Sequence, residues 1–159
     1  MSSLAQDIVN LLCRQGLTLG VIESATGGLI SHLITNVSGS SECYLGSVIS
    51  YSNQSKIRIV GVSEESTNRY GAVSPQVAEE MADGGRRVLN TDICIADTGI
   101  AGPTGSTPEK PVGLFYIGLS HEDGTSSRRH IFTGNREENK HHAAEAALSW
   151  VKEYLESLV

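Results

Sequence analysis

Apolar positions recur at helical spacing at the start of the chain. Leu4, Ile8, Leu11 and Leu12 share one face, Ser2 or Ser3 can cap the start, and Gly16 suits the left-handed residue that ends a helix. The pattern predicts a helix over residues 2–15. TLGVIES (18–24) then reads as a strand, and ATGG opens a second helix with Leu29, Leu33 and Ile34 facing inward. SVISY (47–51) reads as a second strand, after which Ser52 or Asn53 caps a short helix carrying Ile57 and Val60. Ser63 caps a turn of helix through EESTNRY. Ser74 and Pro75 predict a clean helix start, with Val77, Met81 and Val88 on its inner side and Gly84-Gly85 weakening it. DICIAD (92–97) is the third strand. VGLFYIGLS (112–120) and RRHIFTG (128–134) form a hairpin around Glu122-Asp123-Gly124. Asn135 with Glu138 resembles a capping box for a long last helix over 136–158, whose buried stripe is Ala144, Ala147, Leu148 and Val151.

Helices alternate with strands, then a hairpin and a helix follow. This order predicts an α/β protein, a three-layer α/β/α single domain with a mixed sheet, over residues 1–159. A chain of 159 residues can bury roughly 70% of its unfolded surface, enough for a core without staples. One segment stands apart. GIAGPTGSTPEKP (99–111) is rich in glycine and carries three prolines, and a loop of that length in a compact domain is usually functional.

Charge narrows the partners. Twelve Lys and Arg against eighteen Asp and Glu leave a net charge of −6, and no basic run exceeds two residues. A nucleic-acid binder concentrates positive charge on one face, so this balance argues against one. The start of the chain has neither a charged leader nor a long apolar run, so no signal peptide and no membrane span are expected. Cys13, Cys43 and Cys94 are odd in number, far apart and set among apolar residues. They read as buried thiols of a reducing compartment, and the expected location is cytoplasmic.

In open α/β sheets ligands collect at the carboxyl ends of strands. Four stretches lie at such ends: ESATGG, YSNQSK, DTGIAGPTG and TGNRE. If they meet, one pocket results. Gly27 and Gly28 at a helix start could hold an anion or a carbonyl, or serve only tight packing. Ser24 could be a nucleophile or a hydrogen-bond donor, or simply part of a turn. Lys56 is the informative residue. A free lysine titrates near about 10.4, too high for a base at neutral pH. Set about one turn after a helix cap at Asn53, it feels the positive end of the helix dipole, and burial disfavours its charge further. A neutral amine beside Ser41 could take the hydroxyl proton, with Tyr51 relaying a proton or orienting the pair. Arg136, at the start of the last helix, suits a phosphate. Adjacent His141 and His142 point in different directions on a helix and make a poor metal site. Cys43 has no histidine spaced to support it as a nucleophile.

Taken together, ESATGG, GSSECYLGSVISYSNQSKIRIVGV, YGAVS, TGIAGPTGSTPEKPVG and TGNRE resemble the C-terminal domain family of the competence- and damage-inducible protein CinA. The resemblance runs from about Thr18 to the last helix. Stand-alone members are nicotinamide-nucleotide amidases. It therefore implies hydrolysis of nicotinamide mononucleotide to nicotinate mononucleotide and ammonia, by a serine–lysine mechanism without metal or other cofactor. By motif, Ser41 looks like the nucleophile, Lys56 its base and Tyr51 an assistant. Ser24, Thr98 and Gly99 fall among the active-site and substrate-binding positions, with Gly27 and Gly28, and Arg136 looks like a substrate-positioning residue toward the phosphate. Family members commonly form dimers or larger homo-oligomers. This sequence departs from the family in having Ala25 where a cysteine is usual, and Lys140, His141 and His142 where arginines are commoner. The rival readings are a non-catalytic nucleotide- or protein-binding module and an amidase with another amide substrate.

Overall fold

The computed structural model describes residues 2–159 as a five-stranded mixed sheet between two helical layers. The strands are β1 (Leu19–Glu23), β2 (Tyr44–Ile49), β3 (Ile93–Gly99), β4 (Leu114–His121) and β5 (Gly124–Ile131), in the order β2-β1-β3-β4-β5. β1 pairs in parallel with β2 and with β3, whereas β4 and β5 run antiparallel to their predecessors. From β1 the chain first adds β2 on one side and later β3 on the other. The crevice between the carboxyl ends of β1 and β3 is therefore the topological switch point, where such sheets bind ligands.

One face is covered by α1 (Leu4–Gln15), α2 (Leu29–Thr35) and α6 (Arg136–Ser157), which enclose the larger core around Ile8, Leu12, Val21, Ile30, Ile95 and Val151. The other face is covered by α5 (Pro75–Leu89), with α4 (Glu64–Tyr70) beside it, over a smaller core of Ile22, Val60, Val77, Met81 and Cys94. Each of the longer helices is capped as its sequence suggests. Ser3, Ser63 and Ser74 accept a backbone N–H at their helix starts, and Asn135 with Glu138 forms a complete capping box.

Several details differ from the sequence reading. β2 lies earlier, at Tyr44–Ile49, so Tyr51 falls outside it. Ser52, one of the two candidate caps, caps the turn that follows, so Lys56 lies four residues after the cap rather than three after Asn53. That single α-turn, α3 (Asn53–Ser55), widens into a π-helical turn (Lys56–Val60). Ile30 joins Ile34 in the core while Leu29 and Leu33 are only half-buried, and Val88 is exposed. β5 begins at Gly124, so the hairpin turn is tight. Cys43 and Cys94 are buried free thiols, but Cys13 is exposed. Burial pushes the Cys43 thiol up to about 12 and that of Cys94 higher still, so both stay protonated at neutral pH.

Gly84 and Gly85 do not weaken α5; they let it approach the sheet. A Cβ on Gly84 would sit 2.0 Å from the Val60 carbonyl oxygen, and one on Gly85 would sit 2.2 Å from the Ile22 side chain. The helix is held by packing here, which outweighs the helix propensity lost at two glycines, roughly 1 kcal/mol each.

Candidate active site

The four strand-end stretches do meet. Ser24 follows β1, Tyr51 and Lys56 follow β2, Thr98 and Gly99 end β3, and Arg136 begins α6 beyond β5; all line one cleft of about 330 Å³. The 99–111 loop closes one wall through Ile100, Ala101, Thr104 and Gly105. Asn139, fully buried, pins that loop: its side-chain amide donates to the Ala101 carbonyl at 3.0 Å, and its carbonyl oxygen accepts the Gly134 N–H at 2.9 Å.

Lys56 is the unusual residue. Its side chain is among the largest fully buried ones, with 1% of the residue exposed. The π-helical turn brings Lys56 and Val60 inward together, Val60 into the core and Lys56 toward the cleft. Lys56 Nζ donates to the carbonyl oxygens of Ser50 (2.8 Å) and Tyr51 (2.9 Å), and lies 2.8 Å from Ser24 Oγ. Burial pushes its amine down to about 8; an ionised Asp97 works in the opposite direction.

Ser24 is held as firmly as its partner. Its N–H donates to Asp97 Oδ1 at 3.0 Å and that of Thr26 to Asp97 Oδ2 at 3.2 Å. Glu23, one residue earlier and fully buried, accepts the N–H groups of Gly28, Ile30 and Ser31 and the Ser31 hydroxyl. The strand-to-helix turn is thus tied on both sides by buried carboxyls. Neither Glu23 nor Asp97 was singled out from the sequence. Their signal was an acidic residue closing an otherwise apolar strand, in GVIE and ICIAD, where a charge needs dedicated donors.

The structure does not bring Ser41 to Lys56. Ser41 is exposed, in a 3₁₀ turn (Ser40–Glu42) that precedes β2, at the amino end of the sheet. Lys56 follows the carboxyl end of the same strand, and six residues of β2 separate those ends by roughly 17 Å. Proximity in sequence misled because the two residues bracket a strand. Ser24, distant in sequence, takes the place beside the amine. Gly27 and Gly28 line a neighbouring groove with His32 and Lys140 rather than this cleft. Thr98 lines the cleft, with its hydroxyl donating to the Ala72 carbonyl at 2.8 Å. Tyr51 is 62% exposed, and its hydroxyl accepts from Arg136 Nη2 at 3.3 Å, while Arg136 Nη1 donates to the Gly102 carbonyl at 2.9 Å.

Residues 1–155 match the model of the CinA C-terminal domain. The chain belongs to that family. A CinA-like protein of Kosmotoga olearia is 45% identical over 157 residues, covering 99% of this chain and 38% of that protein. One of Salinibacter ruber is 50% identical over 131 residues, covering 82% of this chain and 32% of its own length. The chain thus spans about a third of the relatives it matches. Among solved structures, a CinA superfamily protein from Klebsiella pneumoniae superposes with a TM-score of 0.93 at 27% identity, covering 97% of this chain and 96% of that one. A competence/damage inducible protein from Agrobacterium tumefaciens does so with a TM-score of 0.90 at 32% identity, covering 98% and 99%. The α/β architecture seen here is that of CinA proteins. Among the described residues no helix is long and apolar enough to cross a membrane.

Proposed function

We propose that this domain hydrolyses the carboxamide of nicotinamide mononucleotide, with Ser24 as nucleophile and Lys56 as its base. One observation carries the reading. Lys56 Nζ has three partners: two carbonyl oxygens, which accept only, and one hydroxyl, which can also donate. As a neutral amine, Lys56 keeps two N–H bonds to Ser50 and Tyr51 and aims its lone pair at the Ser24 O–H. Burial favours that neutral form.

In this reading Ser24 Oγ attacks the carboxamide carbon as Lys56 takes the hydroxyl proton. The carbonyl π pair moves to oxygen. Ala25 lines the cleft, and among the described residues no hydrogen bond engages its N–H, which makes it the candidate donor to that oxyanion. Such a donor contributes roughly 3–4 kcal/mol in other enzymes. As the intermediate collapses, the C–N bond breaks and Lys56 returns its proton to the departing nitrogen, which leaves as ammonia. Water then attacks the Ser24 ester, giving up a proton to Lys56, and the nicotinate product leaves as Ser24 is reprotonated. Arg136 and its Tyr51 partner stand at the cleft wall with donors suited to a phosphate.

The test is ammonia release from nicotinamide mononucleotide by wild type, Ser24→Ala and Ser41→Ala. The reading expects loss in the first variant and ordinary turnover in the second. Binding of the nucleotide with no ammonia from the wild type would replace this reading with a binding module. Turnover of unphosphorylated amides at equal efficiency would leave the chemistry and discard the substrate.

A further inference from the structure

Behind Ser24 lies a cluster that the hydrolysis above does not use. Thr26 Oγ1 is 2.6 Å from Glu23 Oε1 and 2.5 Å from Asp97 Oδ1. All three residues are buried, Glu23 and Asp97 completely. A threonine hydroxyl carries one hydrogen and can donate to only one of two oxygens at such distances. The other contact has no hydrogen unless a carboxyl supplies it. Without one, a bare carboxylate oxygen would face a hydroxyl lone pair, out of water, at close range.

We propose that the cluster holds one extra proton, on Asp97, and that this neutral Asp97 is a positioning residue that leaves Lys56 uncharged beside Ser24. The assignment to Asp97 follows from the partners. Glu23 accepts three further N–H groups and the Ser31 hydroxyl, which stabilise an anion. Asp97 accepts only the N–H groups of Ser24 and Thr26 besides the Thr26 contact. The hydrogen-bond chain then runs in one direction: Asp97 O–H donates to Thr26, and Thr26 O–H donates to Glu23. Burial raises the Asp97 carboxyl in the same sense, to about 6, with the charge of Glu23 adding to it and the Thr26 and Ser24 hydrogen bonds opposing; that a proton is still held at pH 7 follows from the Thr26 contact that lacks a hydrogen.

The groups facing Asp97 are few. Glu23 comes from β1, Lys56 from the turn after β2, and the register partner on β4 is Ile117. Lys56 feels Asp97 directly: a carboxylate there would hold its ammonium, whereas a neutral acid does not. The same residue that fixes the Ser24 N–H thereby decides how readily the amine beside Ser24 gives up its charge.

This inference rests on the Ser24–Lys56 reading for its consequence but not for its test. Isotope-edited infrared spectroscopy of aspartate-labelled protein at pH 7 should show one protonated carboxyl stretch that is missing in Asp97→Asn. Lys56, followed by the nitrogen resonance of its Nζ, should titrate at the same pH in wild type and Asp97→Asn, because a neutral amide replaces a neutral acid. Only ionised aspartates in the wild type, or a Lys56 titration that falls by a pH unit or more in Asp97→Asn, overturns the proposal. Should Asp97→Asn fail to fold, the wild-type spectrum alone decides. A protonated Asp97 in a protein that releases no ammonia supports the proposal and sinks only the amidase reading.

Discussion

Gly84 of α5 lies against the backbone of Val60, so close that a methyl group there would meet the Val60 carbonyl oxygen at 2.0 Å. Val60 closes the π-helical turn that begins with Lys56. The approach of α5 to the sheet and the placement of the buried amine are therefore one packing arrangement. Gly84→Ala gains about 1 kcal/mol of helix propensity but forces a backbone contact apart, at a typical cost of roughly 1–3 kcal/mol. Because a backbone carbonyl cannot swing aside like a side-chain tip, we expect net destabilisation of at least about 1 kcal/mol, read from urea unfolding. Unchanged stability would mean that the turn yields freely.

Ser24→Ala should lower turnover of nicotinamide mononucleotide by at least roughly a thousandfold, as loss of a nucleophile does elsewhere, with little change in unfolding midpoint. Ser41→Ala, at the far end of β2, should behave as wild type. The pair of measurements separates the two serines without ambiguity.

The acid limb of kcat/KM should reflect Lys56. If Lys56 is the base for Ser24, as proposed, the rate falls about tenfold per pH unit below the Lys56 midpoint of about 8. Lys56→Arg cannot deprotonate and should lose activity at every pH. Stability carries the same signature. The folded midpoint lies below the unfolded one, so the native state binds fewer protons between about 8 and 10.5, and Lys56's share of stability rises with pH across that window. A flat profile through this range would remove Lys56 from the base role.

Arg136→Ala should act mainly on binding. One or two charge-assisted hydrogen bonds to a phosphate are worth roughly 1.5–3 kcal/mol, so KM should rise about 10- to 150-fold, with a smaller effect on a substrate lacking the phosphate. An equal effect on both substrates would indicate that Arg136 serves Tyr51 and Gly102 instead.

Asn135→Ala removes the cap that starts α6 at Arg136. It should cost about 1 kcal/mol, or roughly 2–4 °C in a melting curve for a domain of this size.

Elements were legible where a local rule governed them. Serine caps, the Ser74-Pro75 helix start and the Asn135–Glu138 box depend on neighbouring residues only, and each formed as written in the chain. The strands of the buried sheet were legible as apolar runs, although β2 was misplaced because Ile49, at the sheet's edge, is half-exposed and SVISY imitates a strand end. The lowered basicity of Lys56 was expected from the sequence, but its cause is burial rather than its position after a cap, since only a single turn separates it from Ser52. Its partner was not legible. Ser24 and Ser41 are both small hydroxyl residues near strand ends, and only the parallel pairing of β1 with β2 decides which end is which. Asp97 stayed hidden for a related reason, because its donors, Ser24 and Thr26, reach it only when β1 and β3 lie side by side, whereas Glu23's donors are the local turn and helix start that follow it.

The cleft draws Ser24, Lys56, Thr98 and Arg136 from four stretches spread over most of the chain, and no two of them share an element. No fragment shorter than nearly the whole domain can hold the set, and a chain still emerging from synthesis carries a bare lysine rather than a poised amine. On the proposed reading, the site is complete only once α6 docks and brings Arg136 to the cleft.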